Sequence, residues 1–199
     1  MSKIQTNKIQ HTANGAAEFT LPQTDGSANQ VIKTNGSGTL SFGAGGISMM
    51  DNWRINTGFV GSTQDLTSNW ERNDSNFSKI GTGMTESSGI FTFPETGIYR
   101  IDFSAGAASS NQQVRYMGAQ IKVTDNGLDS GYAERASGYQ SLSNDAAAYC
   151  NIYLTTIVDV TDISTYKVKF HVEAEHSITW DASGSSNRTY AIFTRLGDT

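Results

Sequence analysis

Three histidines, one cysteine and three pairs of closely spaced carboxylates are the groups in this chain best suited to catalysis or metal binding. The histidines are His11, His171 and His176. His171 and His176 share one apolar-alternating run, five positions apart, so on a strand their side chains face opposite sides and cannot chelate one metal without a bulge. Cys150 has the strand parity of Ile152 and Leu154, which assigns it to the core as a small hydrophobe rather than to nucleophilic catalysis. It is the only cysteine, so an intrachain disulfide is impossible. Asp159/Asp162 and Asp125/Asp129 lie in turn-like sequence, where Asp and Asn bond their own backbone. Asp125, Asn126 and Asp129 could also gather oxygens around a hard cation such as calcium, although their spacing is not that of an EF-hand. Glu173/Glu175 share a solvated strand face and need no special role. There is no Gly-x-Ser-x-Gly elbow and no His-Glu-x-x-His. Gly43-Ala44-Gly45-Gly46 lacks the strand-loop-helix setting of a phosphate loop and reads as a flexible joint. The expectation is a protein that is not an enzyme and uses no metal or cofactor.

The elements that would position these groups are strands. From Tyr166 to His176, Tyr166, Val168, Phe170, Val172 and Ala174 alternate with Lys167, Lys169, His171, Glu173 and Glu175, the period of a half-buried strand. Between Gly89 and Phe103, two apolar runs flank Pro94-Glu95-Thr96-Gly97, which reads as strand, tight turn, strand. Further strands are expected at Trp53–Val60, Phe77–Ile80, Gln113–Thr124, Gly131–Ala136, Ala146–Val158 and Thr189–Leu196. No stretch sustains a helical period, so the class is all-β. Charged residues make up only 17% of the chain, the net charge is −5 and the pI is near 5.1. Lys and Arg are scattered singly, so no basic face exists for nucleic acid. No run approaches the roughly 20 apolar residues of a membrane-spanning helix. The amino terminus lacks an apolar signal region, so assembly in a cytoplasm is expected.

The first 45 residues differ in character. Asn35-Gly36 is a strong turn dipeptide between Val31-Ile32-Lys33-Thr34 and Thr39-Leu40-Ser41-Phe42. A small hairpin is expected there, with Val31, Ile32, Leu40 and Phe42 needing a partner surface because a lone hairpin is marginal in water. The run Leu21-Pro22-Gln23-Thr24-Asp25-Gly26-Ser27-Ala28-Asn29-Gln30, with the Lys33-Thr34-Asn35-Gly36-Ser37-Gly38 that follows, closely resembles a short module of bacteriophage tail fibres and related virion proteins. The resemblance covers about two dozen residues in an unusual order. It implies a virion protein whose residues 1–45 form an attachment or stem segment docking on other virion proteins.

The aromatic strand, Pro, Gly and Tyr of Gly89–Phe103 resemble the central signature of the tumour-necrosis-factor-like and complement globular-head superfamily. Phe77 before this run and the final strand near the carboxyl end extend the likeness over residues 46–199, although the chain has neither a Gly-X-Y stalk nor a secretion signal. The resemblance implies a trimeric jelly-roll β-sandwich whose inner sheet packs around the threefold axis. Tyr149 and Tyr153, opposite in parity to Ile152 and Leu154, would then be the trimer contacts. The resemblance also puts the carboxyl end at the stem, and counting strands back from it then places three connections at the far tip, bearing Asn111, Gln112, Tyr139, Asn144, Trp180, Asp181 and Asn187 as receptor-facing residues for a host glycan or protein. The function expected is a homotrimeric virion fibre for host adhesion. A capsid decoration or head fibre is the alternative, and a polysaccharide depolymerase is the alternative of another class.

Overall fold

The computed structural model describes residues 6–10, 18–28, 30–75, 77–108, 113–143 and 148–199. The chain divides into two compact units, Met1–Ser48 and Met49–Thr199. In the first, β1 (Lys8–Gln10) pairs antiparallel with β2 (Glu18–Thr20), and β3 (Gln30–Thr34) with β4 (Leu40–Ala44). The second pair is the hairpin predicted around Asn35-Gly36. Asn35 Oδ1 accepts from the Ser37 and Thr39 amides at 2.9 and 3.0 Å, which folds the turn back on itself. Phe42 packs over Gly26, where a Cβ would lie 2.7 Å from the ring. Leu40 and Phe42 are thereby half-buried, but Val31 and Ile32 remain exposed. The strands β1 and β2, three residues each, are too short to show a period in sequence.

The second unit holds β5 (Met50–Ile55), β6 (Phe59–Asp65), β7 (Trp70–Arg72), β8 (Lys79–Ile80), β9 (Thr85–Ser87), β10 (Ile90–Thr92), β11 (Gly97–Ala108), β12 (Val114–Thr124), β13 (Ala133–Leu142), β14 (Tyr149–Val160), β15 (Lys167–Trp180) and β16 (Tyr190–Gly197). All its pairings are antiparallel. A front sheet runs β14-β11-β16-β5, with β7 and β8 both on β5. A back sheet runs β13-β12-β15, with β6 and the β10-β9 hairpin both on β15. The sheets meet where Ala107 and Ala108 pair with Trp180 and Thr179. This is the jelly-roll β-sandwich, and it accounts for the long strands that sequence alternation marks out.

The core lies between the sheets and is built around phenylalanines. Phe103 and Phe170 lie 4.5 Å apart, Phe91 and Phe193 5.1 Å, and Phe91 and Phe170 5.5 Å, with Trp70 and Trp53 edge-on to Phe91. These rings come from six strands of both sheets. Tyr99 is also fully buried and donates to the Glu95 carbonyl at 3.0 Å, closing the Pro94–Gly97 turn. Burial, with Glu95 nearby, pushes its hydroxyl up to about 12.

Three expectations are corrected. Trp53–Val60 is not one strand: the chain bends at 56–58, sending β5 to the front sheet and β6 to the back. Gly58 makes the bend possible, because a Cβ there would sit 3.0 Å from the Trp180 carbonyl. The strand expected at Gly131–Ala136 starts only at Ala133, after a 3-10 turn at Asp129–Gly131, and runs on to Leu142. The Tyr166–His176 strand continues to Trp180, past an irregularity between Glu173 and Ile178 opposite β6. Its second face is not solvated: Lys169, His171, Glu173 and Glu175 are half-buried.

Phe170, near the start of β15, touches Trp70, Phe91, Phe103 and Phe193. Phe170→Ala should cost about 3–5 kcal/mol of unfolding free energy, read from the midpoint of urea denaturation. A loss under about 1 kcal/mol would mean that the rings do not form the centre of the core.

Candidate functional site

The parity set by the core decides what the front sheet shows outward. Tyr99, Ile101, Phe103 and Ala105 point in from β11, so Arg100, Asp102 and Ser104 point out. On the neighbouring β14, Ile152 and Leu154 are buried, and Tyr149, Tyr153 and Ile157 project outward at 71, 54 and 64% exposure. They form an apolar stripe along one strand. Arg100 Nη2 donates to the Tyr153 hydroxyl at 3.3 Å, and Arg100 Nε to Asp102 Oδ1 at 3.0 Å. Ser104 Oγ donates to Asn151 Oδ1 at 2.7 Å. The stripe therefore lies on an ordered polar bed.

The outward face of the back sheet is different. Asp65 on β6 meets His171 Nδ1 at 2.6 Å and Lys169 Nζ at 2.9 Å, with Lys122 Nζ at 3.7 Å. Burial works to raise the Asp65 carboxyl, but the bonds from Lys169 and His171 and the charge of Lys122 outweigh it and hold it below the usual range. Tyr139 donates to Glu173 at 2.7 Å, Gln120 to the same carboxylate at 3.1 Å, and Arg115 pairs with Glu175 at 2.5 Å. This face is laced by cross-strand polar pairs whose charges, but not whose partners, are legible in the sequence.

The ends of β11, β13 and β15 gather with the starts of β12, β14 and β16, since Ala108 pairs with Tyr149, Ala107 with Trp180, Ser104 with Tyr190 and Val114 with Leu142. Of the residues expected at this distal end, Asn111, Gln112 and Asn144 lie outside the described residues. Two others are corrected. Tyr139 is not in a loop: it lies within β13, opposite Gly118, and is bound to Glu173 on the back sheet. Trp180 does not face outward: it is 1% exposed, stacks on Phe59 and donates to the Gly61 carbonyl at 3.1 Å. Asp181 and Asn187 do line a distal cavity of about 340 Å³, together with Gly106, Tyr149, Asn151 and Arg188. Arg188 Nη1 bonds both Asp181 oxygens, at 2.8 and 3.1 Å, and Asn73 Nδ2 donates to Asn187 Oδ1 at 3.3 Å.

Sequence reasoning missed what holds this connection in place. Arg54, on β5, is fully buried and bonds Glu71, Asn73, Ser75 and Asp74 and the Gly184 carbonyl. A charged residue inside a strand gives no signal of burial, because its partners lie far along the chain.

The chemical candidates have structural roles. Cys150 packs half-buried at the core edge, and burial pushes its thiol up, which disfavours the thiolate. Asn126 Oδ1 accepts from Thr124 Oγ1 and the Leu128 amide, Asp129 pairs with Lys169, and Asp125 with Arg135, so these oxygens serve the turn. Asp162 Oδ1 accepts from the Ser164 amide and hydroxyl in another turn. Among the described residues, no three His, Cys, Asp or Glu side chains come together to hold a metal ion. No described helix is long and apolar enough to cross a membrane.

No family model matches the chain, and no curated protein is similar to it in sequence. Solved structures are similar in fold. A structure of Eiger TNF from S. frugiperda superposes with a TM-score of 0.56 at 12% identity, over 75% of this chain and 93% of that one. Murine APRIL at pH 5.0 does so with a TM-score of 0.54 at 15% identity, over 76% of this chain and 100% of that one. The fold is thus a TNF-like jelly roll.

The Asp65 cluster makes stability depend on pH. A carboxylate held below its unfolded value stabilises the fold above about pH 3.9, and that contribution disappears as the pH falls through the folded value. Asp65→Asn should lower the melting temperature at pH 7, and the gap to the parent should narrow as the pH falls below the unfolded value of about 3.9 and through the lower folded value. A gap that persists unchanged at pH 3 would mean the side chain acts by packing rather than by charge.

Proposed function

We propose that the chain is a bacteriophage virion protein, a homotrimeric fibre with a jelly-roll head for host-surface adhesion, and not an enzyme. The observation that carries the assembly is the outward stripe Tyr149, Tyr153 and Ile157, three large side chains each more than half exposed along one strand. Exposed aromatic and aliphatic side chains in a row mark an interface more often than chance exposure. Covering each one contributes about 1.5–3 kcal/mol. The back sheet also exposes Val60, Tyr116 and Tyr139, but they sit among paired charges, so covering them would desolvate ion pairs as well.

The phage origin rests on the Leu21–Phe42 module. Val31 and Ile32 are exposed on a hairpin that cannot bury them alone, which suits docking on other virion proteins. Adhesion is supported by the second unit's geometry. Its chain enters at Met49, whose carbonyl accepts from the Arg195 amide at 3.0 Å, beside the carboxyl-terminal strand. Both ends of this unit thus lie away from the gathered connections, which suits a distal end that meets a cell. Three identical weak sites would then gain avidity through effective concentration. Membership of the virion and assembly in the host cytoplasm follow from the same reading.

The double variant Tyr149→Lys/Tyr153→Lys should be monomeric by light scattering at micromolar concentration while keeping the parent's far-ultraviolet circular dichroism. Particles carrying it should adsorb to cells at least roughly a hundredfold less well, as expected when avidity is lost. A trimeric double variant would sink the interface. A monomeric variant with unchanged adsorption would instead favour capsid decoration.

A further inference from the structure

We propose that the distal cavity binds one uncharged hexose unit of a surface glycan. This deepens the adhesion reading and rests on it for its biological setting, but its geometry stands alone. The cavity's volume of about 340 Å³ lies at the lower end of the roughly 300–1,000 Å³ of small-molecule sites. The exposed Tyr149 ring forms an apolar wall. A pyranose has one apolar C–H face and a rim of hydroxyls, so it needs an aromatic surface and fixed polar groups together.

The polar groups are fixed. Asn151 Oδ1 is occupied by Ser104 Oγ, which leaves its amide hydrogens to donate to a hydroxyl. Asn187 Oδ1 is likewise held by Asn73, leaving a second amide donor. Arg188 Nη1 is shared between the two Asp181 oxygens, yet each carboxylate oxygen retains a lone pair and the guanidinium retains further N–H groups. The connection bearing them is tied down by buried Arg54 at Gly184. Such groups need little ordering on binding, and that preorganisation favours affinity. Gly106 keeps the cavity open, since a Cβ there would sit 3.3 Å from the Arg188 carbonyl.

The charge balance selects against anions. Arg188 is the cation of the site and is neutralised by Asp181, so a phosphate or uronate would have to compete with that carboxylate. The chain's net charge of −5 adds long-range repulsion. An uncharged sugar meets neither cost.

The test uses the full chain and four uncharged probes, the methyl pyranosides of glucose, galactose and mannose and N-acetylglucosamine, with glucuronic acid and glycerol phosphate as anionic controls. Saturation-transfer NMR at millimolar concentration should detect at least one uncharged probe and neither anion. Asn187→Ala and Tyr149→Ala should each weaken that binding by roughly tenfold, about 1.4 kcal/mol, and Tyr149→Phe should retain it. Light scattering on each variant separates lost binding from lost assembly. Binding that survives both alanine variants, or stronger binding of an anion, overturns the assignment. If no uncharged probe binds while Asn187→Ala particles lose adsorption, the sugar assignment fails and adhesion stands. If the variant loses sugar binding and its particles adsorb normally, the site stands and host adhesion fails.

Discussion

The cluster of Phe91, Phe103, Phe170 and Phe193 is the contact on which the rest of the molecule depends. Each ring lies on a different strand, β10, β11, β15 and β16, so the cluster ties the two sheets together. Because strand side chains alternate, an inward Phe103 leaves Arg100, Asp102 and Ser104 outward. Pairing then transmits the parity to β14, where Phe103 opposes inward Leu154 and Ser104 opposes outward Tyr153. Shifting that register by one residue would bury Tyr149, Tyr153 and Ile157 and expose Ile152 and Leu154. The surface stripe is therefore a consequence of core packing, not a separate feature of the surface.

What could be read from sequence follows from how local each signal is. The β15 face of Val168, Phe170, Val172 and Ala174 and the Asn35-Gly36 hairpin are written in neighbouring residues, and both stand in the structure. The three-residue β7 and β9 carry no period, and only their pairing with β5 and β10 makes them strands. Trp180 shows the limit most clearly. It ends a strand, and its burial comes from Phe59 and Gly61, more than a hundred residues earlier in the chain. Tyr139 was misplaced for a related reason: β13 runs past Ser137, and no Pro or Gly cluster marks where it stops.

The candidate site was half legible for the same reason. Asp181 and Asn187 have the side chains of a polar recognition surface, and the structure places both in the distal cavity. What fixes them is invisible locally. Arg54 on β5 reaches Gly184 across 130 positions of sequence. Asp51, also on β5 but pointing inward, is buried with Arg72 at 2.9 Å and accepts from the Trp53 indole and the Met84 amide. Buried charges persist only when every lone pair and proton has a partner. One short strand thus carries two such charges on opposite faces, one serving the core and the other the distal connection.

The two sheets resolve their outward surfaces in opposite ways, and this bears on which of them meets a partner. On the back sheet, Lys169 lies over the Tyr132 ring at 4.3 Å and bridges Asp65 and Asp129, while Glu173 receives both Tyr139 and Gln120. Docking another surface there would have to desolvate charges already well paired, which offsets the gain from covering Val60, Tyr116 and Tyr139. On the front sheet, the charges sit low, with Asp102 and Ser104 almost buried beneath the exposed tyrosines. A partner there would remove aromatic area from water and leave the Arg100–Asp102 pair intact. The energetic asymmetry comes from the parity of a single strand, β14, at the edge of the front sheet. Its distal end contributes Tyr149 to both the stripe and the cavity. A ring has two faces, so one can pack against a neighbouring copy while the other closes the cavity. Under the proposed assembly and recognition, both would share this one side chain, so that strengthening either contact would order the other.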